Sequence, residues 1–338
     1  MVVIGYKEWR KNMVNIKDVA KFANVSTATV SRIMNGRPGA NKETEKKVKD
    51  AIKKLNYQPS SMARSLSNKS SNLIAFIVPN LSNPYFTDLI NLLDKAALKY
   101  GYKLYLCNSN DNPKNISYFL KNIVDNFIKT VIINSLAVTE EDIKFLKDKG
   151  IKVITIDRTH LKNHPNTLSV DHFKGSFMAT EYLINECKCQ NLIFISGSMK
   201  EQSSISRFKG YKDAVEKFTS HKSIRLVEGD FTYNSGYELA KKVLKERNFV
   251  DGIVCANDAM AIGVMRACFE LDIKIPDDVQ IIGYDNCSLS QYTTPSLTTV
   301  NQLDKKIGDI IMDSISKNLQ INSEFIPEII ERETTKER

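Results

Sequence analysis

The sequence predicts a small all-α head followed by an α/β body of two lobes built on parallel sheets. Charge supplies the first observation: residues 1–70 hold fifteen Lys/Arg and five Asp/Glu, so the net +9 of the 338-residue chain lies wholly in its first fifth. The second is that apolar residues in that basic segment recur at helical spacing. The third is the alternation, from residue 71 onward, of short apolar runs with amphipathic stretches, which implies parallel sheets covered on both faces. A chain of this length also exceeds one ordinary domain.

In the head, Asn15 reads as an N-cap, with Asp18 in the first turn and Val19, Ala20, Phe22 and Ala23 on the apolar side. Asn24 tolerates the left-handed conformation and stops that helix. After Val25, Ser26 reads as the cap of a second helix whose Val30, Ile33 and Met34 share one face. A third stretch, from about Thr44 to Leu55, repeats apolar residues at Val48, Ile52 and Leu55, surrounded by Lys46, Lys47, Lys49, Lys53 and Lys54. Two short helices joined by a tight turn and buttressed by a third make a helix-turn-helix. The first turn of the second helix would enter a DNA major groove. There Arg32 could take guanine bidentately, worth about 1–3 kcal/mol of discrimination, while the lysines neutralise phosphates. The plain alternative is a three-helix bundle with a lysine-rich surface.

The residues that follow the spacing resemble a known family. Ile16-Lys17-Asp18-Val19-Ala20, Ala23-Asn24-Val25-Ser26, Ala28-Thr29-Val30-Ser31-Arg32 and Asn35 are similar to the DNA-reading unit of the LacI/GalR family, as is Leu55-Asn56-Tyr57-Gln58-Pro59 followed by Ala63-Arg64-Ser65-Leu66. The resemblance implies DNA contacts from Ser26, Thr27, Ala28, Thr29, Ser31, Arg32 and Asn35. It gives residues 15–59 as the helix-turn-helix domain and residues 60–70 as a hinge. In relatives that hinge folds on DNA and enters the minor groove as a pair, with Leu66 as the wedge between base pairs and Ala63 beside it. The composition agrees: Pro59 breaks the preceding helix, and the segment is too short a helix to hold alone. Residues 1–14 are expected to be an extension, Met13 standing where relatives begin.

In the body, strands are expected near 72–78, 103–107, 131–133, 152–156, 168–170, 192–195, 225–227, 252–255 and 279–282. Amphipathic helices are expected near 84–100, 115–127, 140–149, 174–186, 204–218, 235–247 and 259–271. About nine such units exceed one open sheet, so two subdomains are expected, with ligands outside the carboxyl ends of the strands. The resemblance implies the same: a two-lobed, periplasmic-binding-protein-like (type I) core over residues 71–332, with its ligand in the cleft.

Several classes are set aside. No segment approaches 18 consecutive apolar residues, so no membrane span is expected. The first residues carry no secretory pattern, which points to the cytoplasm. Cys107, Cys187, Cys189, Cys255, Cys268 and Cys287 lie mostly in apolar runs and read as buried reduced thiols. No dinucleotide, phosphate-loop or zinc-protease motif occurs, and His160, His164, His172 and His221 form no ligand or triad spacing. Neither a metal, a cofactor nor an enzyme activity is expected.

The resemblance also places a ligand set at the strand ends: Asn83, Tyr85, Phe86, Asp157, Arg158, Arg207, Phe231, Asn257, Asp285 and Gln302. Carboxylates and Arg forks suit adjacent hydroxyls, and aromatic faces suit a sugar's C–H surface. The set is similar to the one by which ribose-binding proteins and ribose repressors hold ribose. Glu201 stands where purine-responsive members present an Arg, which counts against a purine. The expectation is a repressor that binds double-stranded operator DNA as a homodimer or tetramer, with its grip switched by a small sugar. A catabolite-control regulator assisted by a phosphocarrier, or a regulator responding to another sugar, is the alternative. No heptad-like tail follows Ile330 to suggest a tetramerising coil.

Overall fold

The structure is a computed structural model that describes residues 14–34, 36, 38–58, 65–66, 68–158, 161, 166–220, 223–245 and 249–336. The chain divides into two compact units at Ser71 and Asn72. The first holds three helices: α1 (Ile16–Ala23), α2 (Thr27–Met34) and α3 (Lys42–Lys54). Asn15 caps α1 through a reciprocal pair, its carboxamide accepting from the Asp18 N–H while the Asp18 carboxylate accepts from the Asn15 N–H. Asn24 closes the helix at φ 55°. The Ser26 hydroxyl accepts from the Thr29 N–H at 3.1 Å and so caps α2. Helix α3 begins two residues before the expected Thr44, because Asn41 accepts from the Thr44 N–H at 2.7 Å and starts the helix upstream. Val19, Val30, Val48 and Ala51 are fully buried together at the junction of the three helices.

The second unit is two α/β lobes. The first sheet has strands β1 (Leu73–Val78), β2 (Lys103–Asn108), β3 (Thr130–Ile133), β4 (Lys152–Ile156), β5 (Thr167–Val170) and β11 (Asn322–Phe325), in the order β11-β5-β4-β3-β1-β2. The second has β6 (Leu192–Ser196), β7 (Leu226–Glu228), β8 (Gly252–Cys255), β9 (Gln280–Asp285), β10 (Thr298–Asn301) and β12 (Glu328–Ile330), in the order β12-β10-β9-β8-β6-β7. Every pairing is parallel except β10 with β12. Helices α4 (Pro84–Lys99), α5 (Pro113–Asp125), α6 (Glu140–Asp148), α7 (His172–Asn185), α8 (Gln202–Phe218), α9 (Tyr233–Lys245), α10 (Asp258–Glu270) and α11 (Ile307–Ser316) connect the strands. The central strands are buried along their length, as continuous apolar runs require between two helical layers.

The late elements differ from the expectation. Strands β10, β11 and β12 and helix α11 are not among the expected elements, although Ile307–Ser316 is rich in apolar residues; β11 and β12 are short edge strands whose residues are exposed or half-buried. They matter because the chain crosses between lobes three times: between β5 and β6, between β10 and β11, and between β11 and β12. Helix α11 packs Ile307, Ile311 and Met312 into the core of the first lobe although the preceding strand lies in the second. Packing continues beyond residue 332, the expected end of the body. Thr334 is fully buried, its N–H donating to the Ser296 carbonyl and its hydroxyl to the Ile281 carbonyl.

Candidate functional site

The ten residues expected at a ligand site all line one cleft, whose walls come from both lobes and whose cavity volume is about 100 Å³. Local chain geometry brings each there. Asn83 caps α4, accepting from the Tyr85 N–H at 3.1 Å, and so presents Tyr85 and Phe86 in the first turn, their rings edge to face at 5.2 Å. Asn257 caps α10 in the same way and donates to the Phe231 carbonyl at 3.0 Å. Asp157, Phe231 and Asp285 follow the ends of strands, or close one, with φ of 55°, 66° and 120°. Such values are rare for residues with a Cβ and cost on the order of 1–3 kcal/mol each.

Two guanidiniums organise the interior. Arg207 stacks on Tyr284 with its Cζ 3.9 Å from the ring centroid, and donates to the Ala256 carbonyl, the Gln302 carboxamide oxygen and His172 Nδ1. Gln302 in turn donates to Asp285. Arg158 donates to the Asp157 carbonyl at 3.0 Å and to both oxygens of Asn134, and its Nε, buried, has no partner among the described residues. Burial alone would raise the Asp157 carboxyl, but His172, Arg158 and Arg207 outweigh it and bring it down to about 2. Burial raises Asp285 well above the ordinary carboxylate range, with the Arg207 charge opposing.

Sequence reasoning missed His172, which joins the lobes at this point. Its Nε2 lies 2.8 Å from the Asp157 carboxylate of the first lobe. Its Nδ1 lies 3.2 Å from the Tyr284 hydroxyl and 3.3 Å from Arg207 Nε of the second. Because Arg207 can only donate, Nδ1 must accept, which fixes the proton on Nε2 and leaves the ring neutral. Burial pushes the imidazole below its ordinary value, Asp157 pulls it up, and Arg207 adds to burial. No periodicity marks such a residue; it is the first residue of α7, distant in sequence from its partners. Asn134, Asp111, Glu201, Ser203 and Asp230 also line the cleft. At Gly197, an added Cβ would fall on the Phe231 ring.

In the head, Ser26, Thr27, Ala28 and Arg32 are exposed and Thr29 and Ser31 half-buried, so the expected reading face of α2 is presented outward. The Ser26 and Thr29 hydroxyls lie 2.9 Å apart and order the first turn. Asn35 and Ala63 lie outside the described residues, as do residues 1–13 and residues 60–64 of the expected hinge; Leu66 is 65% exposed. Two of the expected phosphate-facing lysines are paired on the helix, Lys47 with Glu43 at 2.7 Å and Lys49 with Glu45 at 3.6 Å, and Lys54 lies over the Phe22 ring. All six cysteines are buried and free. Among the described residues no helix is long and apolar enough to cross a membrane.

Known proteins share this organisation. Residues 71–335 match the family model of periplasmic binding proteins and the sugar binding domain of the LacI family, and residues 15–60 match that of bacterial regulatory proteins of the lacI family. The HTH-type transcriptional repressor PurR of Histophilus somni is 31% identical over 334 residues, covering 96% of this chain and 99% of that protein. Catabolite control protein A of Priestia megaterium is 34% identical over 306 residues, covering 90% and 92%. The ribose operon repressor of Halalkalibacterium halodurans is 33% identical over 330 residues, covering 96% and 98%. In fold, the chain matches the crystal structure of the lac repressor dimer bound to operator and the anti-inducer ONPF, with TM-score 0.81 at 24% identity and 95% and 99% of the two chains covered. The chain therefore belongs to the LacI family of bacterial regulatory proteins, and is a DNA-binding transcription regulator rather than an enzyme.

Proposed function

We propose that this regulator is an operator-binding repressor whose DNA grip is set by a sugar in the interlobe cleft, and that the sugar is D-ribose. The observation that carries the reading is the convergence of all ten expected residues on one cleft, with aromatic rings, carboxylates and guanidiniums in the combination a polyhydroxylated ring requires. In this reading residues 15–59 bind the major groove through Ser26, Thr27, Ala28, Thr29, Ser31, Arg32 and Asn35. Residues 60–70 form a hinge that inserts Leu66, with Ala63 beside it, into the minor groove, and residues 1–14 lie outside the head. Two chains act together as a homodimer on a pseudo-palindromic operator. Ligand closure need couple to DNA binding by only about 3 kcal/mol to change affinity roughly 150-fold.

The test is calorimetry with D-ribose beside other pentoses and hexoses, followed by a gel shift on DNA flanking the protein's own gene with and without the sugar that binds. Heat from ribose and a shift that responds to it support the reading. Silence from ribose beside clear binding of another sugar rejects the ribose assignment, and no preference for any duplex over random DNA rejects the whole. A second reading, a catabolite-control regulator, is favoured by the 34% identity to catabolite control protein A. It is separated by asking whether operator binding needs a phosphocarrier protein rather than a free sugar.

A further inference from the structure

The cleft contains more acid than the ligand set alone suggested. Asp111 enters from the first lobe, and Glu201 and Asp230 from the second, beside Asp157 and Asp285. Among the described residues that line the cleft, Arg158 and Arg207 are the cations set against these five carboxyl groups, of which burial holds Asp285 above the ordinary carboxylate range. Asp111 and Asp230 are held in place by hydrogen bonds: Asp111 accepts from the Ser135 hydroxyl at 2.7 Å and the Leu136 N–H at 2.9 Å in the segment after β3, and Asp230 from the Thr232 N–H and hydroxyl of its own loop at 3.0 and 2.6 Å. Glu201 makes no side-chain hydrogen bond among the described residues, although it starts α8 at a cap position. Burial holds its carboxyl above the ordinary range; Arg158 pulls it down and Asp111, from the opposite lobe, pushes it up.

The hydrogen-bonding inventory points the same way from independent contacts. The Arg207 fork is committed to Ala256, Gln302 and His172, and both terminal nitrogens of Arg158 to Asp157 and Asn134. The carboxamide nitrogens of Asn257 and Gln302 already donate, to Phe231 and Asp285. Of the cationic donors, the Nε of Arg158, on a side chain only 6% exposed, has no partner among the described residues; the other donors facing the cleft, on Asn80, Asn83, Tyr85 and Ser203, are neutral. The acceptors, by contrast, have capacity to spare, since each carboxylate can take about four hydrogen bonds. Such a site recognises a ligand by the hydrogens it donates. A hydroxyl supplies one; a phosphate monoester supplies none near pH 7.5 and brings a charge of about −1.5 to −2.

We propose that the rim formed by Asp111, Glu201 and Asp230 makes the cleft specific for the free sugar and excludes its phosphate ester. The inference rests on the sugar reading given above and narrows its ligand class. Like charges set against one another in a binding site cost enough to reject a ligand, so the ester is expected to bind at least about 100-fold more weakly than its parent.

The experiment is calorimetry on the full-length protein with two matched pairs, D-ribose with D-ribose 5-phosphate and D-glucose with D-glucose 6-phosphate. It is repeated on Glu201→Gln, which keeps shape and breaks no hydrogen bond, and on Glu201→Asp, which keeps the charge. The expected result is an ester-to-parent Kd ratio of about 100 or more in the unaltered protein, narrowed about tenfold in Glu201→Gln and largely kept in Glu201→Asp. If ribose is silent and glucose binds, the ribose assignment fails while the glucose ratio still decides the rim. An ester that binds as well as its parent overturns the inference. So does a wide ratio that Glu201→Gln leaves unchanged, because exclusion would then be steric. Binding of none of the four overturns the inference together with the sugar reading.

Discussion

Replacing His172 with Phe tests whether the two lobes are held in register by the Asp157–His172–Arg207 contacts. Phenylalanine fills the same space, so the cost comes from electrostatics rather than a cavity. Asp157 sits at about 2 against an ordinary 3.8, a displacement equivalent to about 2.5 kcal/mol and shared by His172, Arg158 and Arg207. Arg207 in addition loses the acceptor at Nδ1, worth about 1 kcal/mol. A destabilisation of about 2–3 kcal/mol at pH 7.5 follows, read from urea denaturation followed by circular dichroism. The pH dependence sharpens the test. The folded-state value of His172 lies below its unfolded value, so below about pH 6.5 the unfolded chain binds a proton that the folded protein resists. The unaltered protein therefore loses stability as pH falls from 6.5 toward 5, and His172→Phe lacks that loss. The gap between them narrows on acidification. Asp157, whose value is depressed, contributes stability above about pH 4 that disappears only as pH falls toward 2, outside this window. His172→Gln, which can still donate to Asp157 and accept from Arg207, recovers part of the loss. Stability equal to the unaltered protein within about 0.5 kcal/mol, or a gap that widens toward pH 5, refutes the reasoning.

Other expectations concern the head and the cleft wall. Arg32→Ala is expected to relax base preference, whereas Lys53→Ala weakens binding to all duplexes alike and lowers the slope of log affinity against log salt by about one; competition gel shifts over a salt series check both, and equal effects from the two would count against the groove assignment. Asn15→Ala removes the cap of α1 and should cost the head about 1 kcal/mol, measured by thermal melting of the full chain. Gly197→Ala places a methyl where the Phe231 ring lies and pushes that ring out of position; a fall of at least about tenfold in sugar affinity with little change in melting temperature is expected in calorimetry, and unchanged affinity would show that the ring is not a wall of the ligand site.

The sequence by itself determined the elements whose signal is local. The caps at Asn15 and Ser26 are one-residue statements about which N–H groups need an acceptor, and each stands where its side chain accepts in the structure. The central strands read as apolar runs because both faces are covered, and the basic charge of the first seventy residues needs no coordinates. Resemblance carried the ten cleft residues, which lie at strand ends and helix starts where a parallel α/β sheet presents its ligands. What only the tertiary structure decided depends on residues far apart in sequence. The three crossings put β11 and α11 in the first lobe and β12 in the second, and edge strands three or four residues long have too little periodicity to announce it. His172 carries no sign in the sequence that it meets Asp157 on one side and Arg207 and Tyr284 on the other. The surplus of acid around the cleft is likewise invisible in a body near neutral overall, because charge balance along a chain says nothing about which carboxylates folding gathers around one cavity.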